Sequence, residues 1–210
     1  TDFFLQTVLR IAMLSEMEPI LFEIEGYRAI ELAHDDIPII QTFLENNPEY
    51  FLSAEGCPPT DSQAREEFES ELPEEWTFTS KHAIGFVDAS EELTGFATIV
   101  SDLFADGVWH IGLLILSTDK HGQGVARDLY EGLEHWLKAS GAQWLRLGVI
   151  AGNTRAERFW ERNGYLETRR RCGVVMRNAT HTVRVMVKPL GEAGLGEYLD
   201  LVSRDHPDAS

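Results

Sequence analysis

The stretch that most constrains this chain is an apolar run that ends in a glycine turn and restarts as a helix. Leu114, Ile115 and Leu116 lead into polar turn residues, then Gly122 and Gly124. From Val125, the residues Leu129, Leu133, Trp136 and Leu137 follow at spacings of 4, 4, 3 and 1, which is one face of an amphipathic helix. A strand feeding such a turn presents bare backbone N–H groups at the positive end of a helix dipole. That is an anion site, and phosphate is its usual ligand. A Cβ at Gly122 or Gly124 would hold a pyrophosphate off the backbone.

Two familiar phosphate loops do not fit. The dinucleotide fingerprint needs G-x-G-x-x-G/A, and Arg127 occupies its last position. The Walker loop needs Gly-Lys-Ser/Thr, which is absent. The turn instead resembles the acetyl-CoA loop of the GNAT superfamily of N-acetyltransferases, Arg/Gln-x-x-Gly-x-Gly/Ala, with His121 at the first position, Gly124 at the fourth and Ala126 at the last. A second block, Asn153, Ala156, Phe159, Trp160, Gly164 and Tyr165, is similar to that superfamily's Asn-x-x-Ala-x-x-Phe-Tyr-x-x-x-Gly-Phe. The resemblance spans residues 27–188, with specific residues in 114–165.

Composition bounds the chain further. Its 210 residues suit one domain with a sizeable core, and 43% hydrophobic with 25% charged residues is ordinary for a soluble protein. No apolar run reaches about 18 residues, so no membrane span is expected. The first ten residues lack a basic region and a cleavage site, so no signal peptide is read. Cys57 and Cys172 are far apart, and reduced thiols in a cytoplasm are expected. Neither has a His/Cys set nearby, so no metal is expected. Residues 1–100 hold 21 Asp/Glu against 4 Lys/Arg, while residues 101–210 hold 14 against 14, so the whole net charge of −17 sits in the first half. This disfavours a nucleic-acid partner, whose phosphates would be repelled. It is read as a well-solvated surface or as an acidic approach for a cationic substrate.

The pattern along the chain predicts strands at 27–32, 81–88, 93–100, 107–116, 144–150, 165–171 and 182–187. Helices are predicted after Asp35 and Asp36, over 62–72, from Val125 to Ser140, after Asn153 or Thr154, and over 198–202. Thr154 and Glu157 have capping-box spacing. Residues 1–20 are read as an N-terminal extension, 21–189 as the domain and 190–210 as a C-terminal tail. The order is mixed α/β with much antiparallel pairing. The resemblance implies a GNAT-like, mostly antiparallel central sheet with helices on both faces.

The resemblance also assigns the cofactor side. Leu114, Ile115 and Leu116 would offer backbone groups to the pantetheine arm of acetyl-CoA, in the manner of an added strand. His121, Gly122, Gln123, Gly124, Val125, Ala126 and Arg127 would wrap the pyrophosphate. Asn153 would touch the pantetheine, or serve as a plain helix cap. Trp160 would pack beside the cofactor, and Arg162 would reach an outer phosphate. The acid/base residues that many members carry are replaced. Trp160 stands where a Tyr protonates the leaving thiolate, and an indole N–H is no usable acid. Gly148 stands where members acting on protein N-termini have Glu.

An amine nucleophile must be neutral, and a lysine-like amine has a pKa of about 10.4, so a base helps. His110, four residues before Leu114, is the candidate general base, with the ordinary histidine pKa of about 6.5. The alternative is a plain strand histidine facing solvent. Asp102, Glu49, Tyr50 and Tyr27 are weaker candidates. The reading is an acetyl-CoA-dependent N-acetyltransferase for a small cationic amine or a basic peptide, with a homodimer left open. Its rivals are an enzyme using another acyl-CoA and a CoA-binding regulatory module without turnover.

Overall fold

The structure is a computed structural model and describes residues 19–209. The expected N-terminal extension at 1–20 lies outside the described residues up to residue 18. The elements are β1 (Ile20–Ile24), β2 (Tyr27–Glu31), α1 (Ile37–Asn46), α2 (Glu49–Ala54), α3 (Gln63–Glu69), β3 (Ser80–Asp88), β4 (Leu93–Ser101), β5 (Val108–Leu116), α4 (Val125–Ala139), β6 (Trp144–Ile150), α5 (Thr154–Arg162), β7 (Leu166–Met176), β8 (Ala179–Pro189) and α6 (Leu195–Leu201).

The strands form one sheet in the order β1-β2-β3-β4-β5-β6-β8-β7. Neighbours pair antiparallel except β5 and β6. That exception follows from the sequence, because a crossover through α4 returns the chain in the same direction. Helices cover both faces, as expected. On one face Leu129, Leu133 and Leu137 of α4 and Trp160 of α5 pack on Ile84, Phe86, Ile99, Ile111 and Leu147. On the other, Ile40, Phe43, Leu44, Phe51 and Ala64 from α1, α2 and α3 pack on Val87, Phe96, Leu113 and Ile115. Beside them Tyr198 and Val202 close over Val108, Trp144 and Val187.

Three differences from the sequence reading matter for the site. Strand β1 was not anticipated. It packs on α4 so closely that a Cβ at Gly132 would meet Phe22 at 2.6 Å. Helix α2 was not anticipated either; Pro48 stands at its N-cap, where a missing N–H costs little. Strands β7 and β8 each run 11 residues, longer than expected at both turn ends. Their turn passes through Arg177 at φ +49°. The C-terminal tail is docked through α6, which places Asp205 inside the protein.

Candidate active site

Strands β5 and β6 pair only from Val108 with Trp144 to Ile111 with Leu147. Both continue beyond that point, to Leu116 and Ile150. The sheet therefore parts between them, and one edge of each strand is left without a strand partner. A bulge accompanies the parting. Ile99 pairs with Ile111 and Thr98 with Leu113, so Gly112 is an extra residue in β5. A bulge bends its strand and disturbs the ladder locally. Gly112 is required there, because a Cβ would lie 2.9 Å from the Thr98 hydroxyl. Gly148 faces the parting from β6, and both glycines are exposed. Leu114, Ile115 and Leu116 line the β5 side.

The parting leads to the glycine turn. Gly122 and Gly124 have φ of +78° and +89°, a region that disfavours side chains. An added Cβ at either would meet no atom within 4 Å, so the space in front of the turn is open. Gly124 is the N-cap of α4, and no side chain caps it. Among the described residues, the amides of Gly122, Gln123, Gly124, Val125 and Ala126 make no backbone hydrogen bond outside the helix. These are the orphan donors of a helix start, aimed at an open space, and they fit a pyrophosphate.

The remaining turn residues are occupied otherwise. His121 Nε2–H donates to the Leu116 carbonyl at 2.9 Å, tying the turn to the end of β5. The Gln123 amide donates to the Asp119 carbonyl. Arg127 pairs with Glu131 at 2.7 Å on the exposed face of α4.

Asn153 lies three residues beyond β6 and caps α5, its side chain accepting the Ala156 N–H at 3.2 Å. The expected Thr154–Glu157 capping box is not formed. Glu157 accepts the Gly152 N–H at 3.3 Å instead. Trp160 is 9% exposed, with ring centroids 4.9 Å from Phe159, 5.1 Å from Tyr165 and 5.4 Å from Tyr130. It is packed in the core. Arg162 is exposed at the far end of α5, about 13 Å along the helix from Asn153 at 1.5 Å per residue.

His110 lies on the face covered by α1, α2, α3 and α6. Its Nδ1–H donates to the Arg146 carbonyl at 3.1 Å. Burial, reinforced by the Arg146 guanidinium, lowers its pKa to about 3. The ring is therefore neutral at physiological pH; its Nδ1 faces both the Arg146 carbonyl and, at 3.3 Å, Arg146 Nη1, and in the tautomer that donates Nδ1–H to the carbonyl the lone pair is on Nε2. Arg146 is held by Asp205 through Nε at 2.6 Å and Nη2 at 3.0 Å, and the Tyr198 hydroxyl also donates to Asp205. Sequence reasoning missed this cluster, because 59 positions separate Arg146 from Asp205.

Across the same face, the β7–β8 turn leans on the acidic helices. Arg177 pairs with Glu55 and Glu66, and His181 Nε2–H donates to the Ala54 carbonyl at 2.7 Å. Burial pushes up the pKa of Glu67. Glu55 and Glu66, two of the carboxylates behind the first-half charge, are thus already balanced. Asp102, one of the weaker base candidates, accepts the Gly107 N–H at 2.8 Å and shapes the β4–β5 turn. Among the described residues, no helix is long and apolar enough to cross a membrane. Cys57 and Cys172 are free thiols.

Residues 39–165 match the family model described as the acetyltransferase (GNAT) family. The sequence matches no curated protein. Among solved structures, the ribosomal-protein-S18-alanine N-acetyltransferase from Escherichia coli is 19% identical, with TM-score 0.58 over 80% of this chain and 97% of that one. An acetyltransferase from Thermus thermophilus is 17% identical, with TM-score 0.63 over 82% and 100%. A spermidine N-acetyltransferase from Vibrio cholerae, in complex with CoA and spermine, is 16% identical, with TM-score 0.62 over 79% and 96%. Likeness at these identities establishes the fold.

Proposed function

This chain belongs to the GNAT family of acetyltransferases, and on that premise we propose that it moves the acetyl group of acetyl-CoA to a small amine that is cationic in solution, or to a basic peptide. The observation that carries the reading is the parting of β5 from β6, which leads directly to uncapped amides at the start of α4. A flat, closed sheet would offer no slot for an extended thiol arm. The solved relative bound to CoA and spermine supports both sides of the reaction by analogy of fold.

In this proposal the free edge of β5 at Leu114, Ile115 and Leu116 holds the pantetheine through backbone groups. The amides of residues 122–126 hold the pyrophosphate, with Arg127 at the rim. Asn153 keeps the start of α5 in place beside the arm. Acetyl-CoA supplies an acyl group that is already activated, so the protein mainly places the amine next to it. The new N–C bond forms as the C–S bond breaks. The amine proton passes to His110 Nε2, directly or through water, and the departing sulfur takes a proton from solvent. Trp160 is in the core and takes no part in proton transfer.

His110→Ala should lower kcat by about 100-fold, the lower end of the usual range for one general base, because a ring with so low a pKa is a weak acceptor. CoA affinity should stay constant. The wild-type profile of kcat/KM should show no histidine limb near neutrality, since His110 takes up its proton only near pH 3. A wild-type limb near pH 6.5 that disappears in the variant would contradict the described surroundings of this ring.

Acceptor charge is tested by steering. At low salt, kcat/KM should favour cationic over neutral amines of equal size. Raising the ionic strength, where the Debye length shrinks to about 8 Å, should narrow the gap. Equal values at low salt would remove the cationic preference. The reaction itself is tested by incubating the protein with acetyl-CoA and an amine panel, with acetylated amine read by mass spectrometry. Finding no acetylated amine while CoA binds would turn the reading toward a CoA-binding module.

A further inference from the structure

The chain carries 35 Asp and Glu against 18 Lys and Arg, so most arginines have a carboxylate close by. Three on the face that carries His110 do not. Among the described residues, Arg169 and Arg171 of β7 and Arg204 beyond α6 form no ion pair, whereas Arg170 and Arg184 on the opposite face of the same hairpin pair with Glu167.

Register places the first two. Arg169 pairs with Val185, which pairs with Gly148, and Arg171 pairs with Val183, which pairs with Ile150. A Cβ on Gly148 would touch Val183 at 3.0 Å, so these side chains rise from the face that carries Gly148, Arg146 and His110. The row from Arg169 to Gly148 crosses two strand spacings, about 10 Å, a gap that an arginine side chain and a small acceptor can share.

The cluster is built and oriented. The Arg204 guanidinium lies 4.6 Å from the Trp76 ring centre and 4.2 Å from that of Phe104. Arg169 Nη1 donates to the Arg204 carbonyl. Arg169 Nε is buried and has no hydrogen-bond partner. An unpaired buried donor is costly, and a bound water or ligand would satisfy it. Burial and the charges of Arg146 and Arg171 lower the pKa of Arg204. Asp205 and Glu75 offset part of that charge, and Asp205 is itself held by Arg146 and Tyr198.

We propose that Arg169, Arg171 and Arg204 form an anion subsite that takes a carboxylate of the acceptor, so that the amine reaching the β5–β6 parting belongs to an amino acid or a similar amine bearing an acid group. This rests on the acetyl-transfer reading for the acceptor's role, but the subsite can be read by binding alone. The guanidinium fork matches a carboxylate in two hydrogen bonds, which gives orientation as well as attraction.

The test uses the CoA-loaded protein and three kinds of probe, with affinities from calorimetry. These are a panel of N-acetyl amino acids, the matching C-terminal amides, and inorganic phosphate. At least one acid should bind about 10- to 100-fold tighter than its own amide, the usual scale for hydrogen bonds to charged groups. Arg171→Gln, at an exposed position where folding is not at risk, and Arg204→Gln should each reduce that ratio, while CoA affinity stays constant. Acids no tighter than their amides would overturn the proposal, as would a ratio unchanged in both variants. Phosphate binding tighter than every acid would overturn the carboxylate assignment. If the acid preference holds but no amine is acetylated, the transfer reading fails and the subsite stands.

Discussion

Gly124→Trp should abolish the rise in melting temperature that CoA gives the wild-type protein. A ligand that binds only the folded state stabilises it by mass action, by about 2.7 kcal/mol at a concentration 100 times Kd. The indole would fill the space in front of Gly124, where nothing lies within 4 Å, and would cover the amides at the start of α4. Affinity should fall by at least about 100-fold, the loss expected when several charge-assisted hydrogen bonds disappear together. A side chain at φ +89° is strained in itself. Gly124→Ala separates the two effects, because it carries the strain with little of the bulk. It should lower the melting temperature of the ligand-free protein and keep much of the CoA response. Wild-type CoA affinity in Gly124→Trp would remove the glycine turn from the cofactor site.

The largest stability effect should come from Asp205→Ala. Arg146 and Asp205 are 5% and 1% exposed, and the pair is bidentate. Removing the carboxylate leaves a guanidinium charge buried without its partner, at a cost of about 3–5 kcal/mol in unfolding free energy. The Tyr198 hydroxyl loses its acceptor as well. Replacing both charged residues by apolar ones of similar volume should cost much less than the single change, because no charge is then stranded. The sign with pH is fixed by the Arg146 guanidinium and the Tyr198 hydroxyl, which hold the folded Asp205 carboxyl below its ordinary value against the effect of burial. That stability is present above the unfolded carboxyl pKa and is lost as pH falls through the folded one. Urea unfolding at neutral pH measures the effect, and a loss under about 1 kcal/mol would show that the pair is not buried as described.

The sheet and its helices were legible where periodicity is long or punctuation is strong. The strand over residues 144–150 and the helix from Val125 were readable because seven and fifteen residues keep one pattern and glycines close their ends. The six-residue helix α2 was not, since so short a segment shows barely one apolar spacing, Phe51 to Ala54. Strand β7 was read as far as Arg171, but its continuation to Met176 was not, because Gly173, at φ +72°, reads as a strand end and the ladder resumes at Val174 only against β8. In the site, local signals carried the glycine turn and Asn153, whose conformations are set within a few residues. What stayed hidden depends on pairs distant in sequence. The bulge at Gly112 needs the β4 register, and the neutral state of His110 needs Arg146. The dense acidic first half suggested a more negative acceptor wall than the fold presents, because Arg177 crosses from the β7–β8 turn to balance Glu55 and Glu66.

The central claim is the place of the cofactor, and amide hydrogen exchange with and without CoA tests it most directly. Protection should rise at residues 112–116, 122–126 and 148–153, which are the free edges of the parting and the start of α4. The α6 segment and the β1–β2 hairpin should exchange as before. Protection elsewhere with no change at Gly122 to Ala126 would contradict the account.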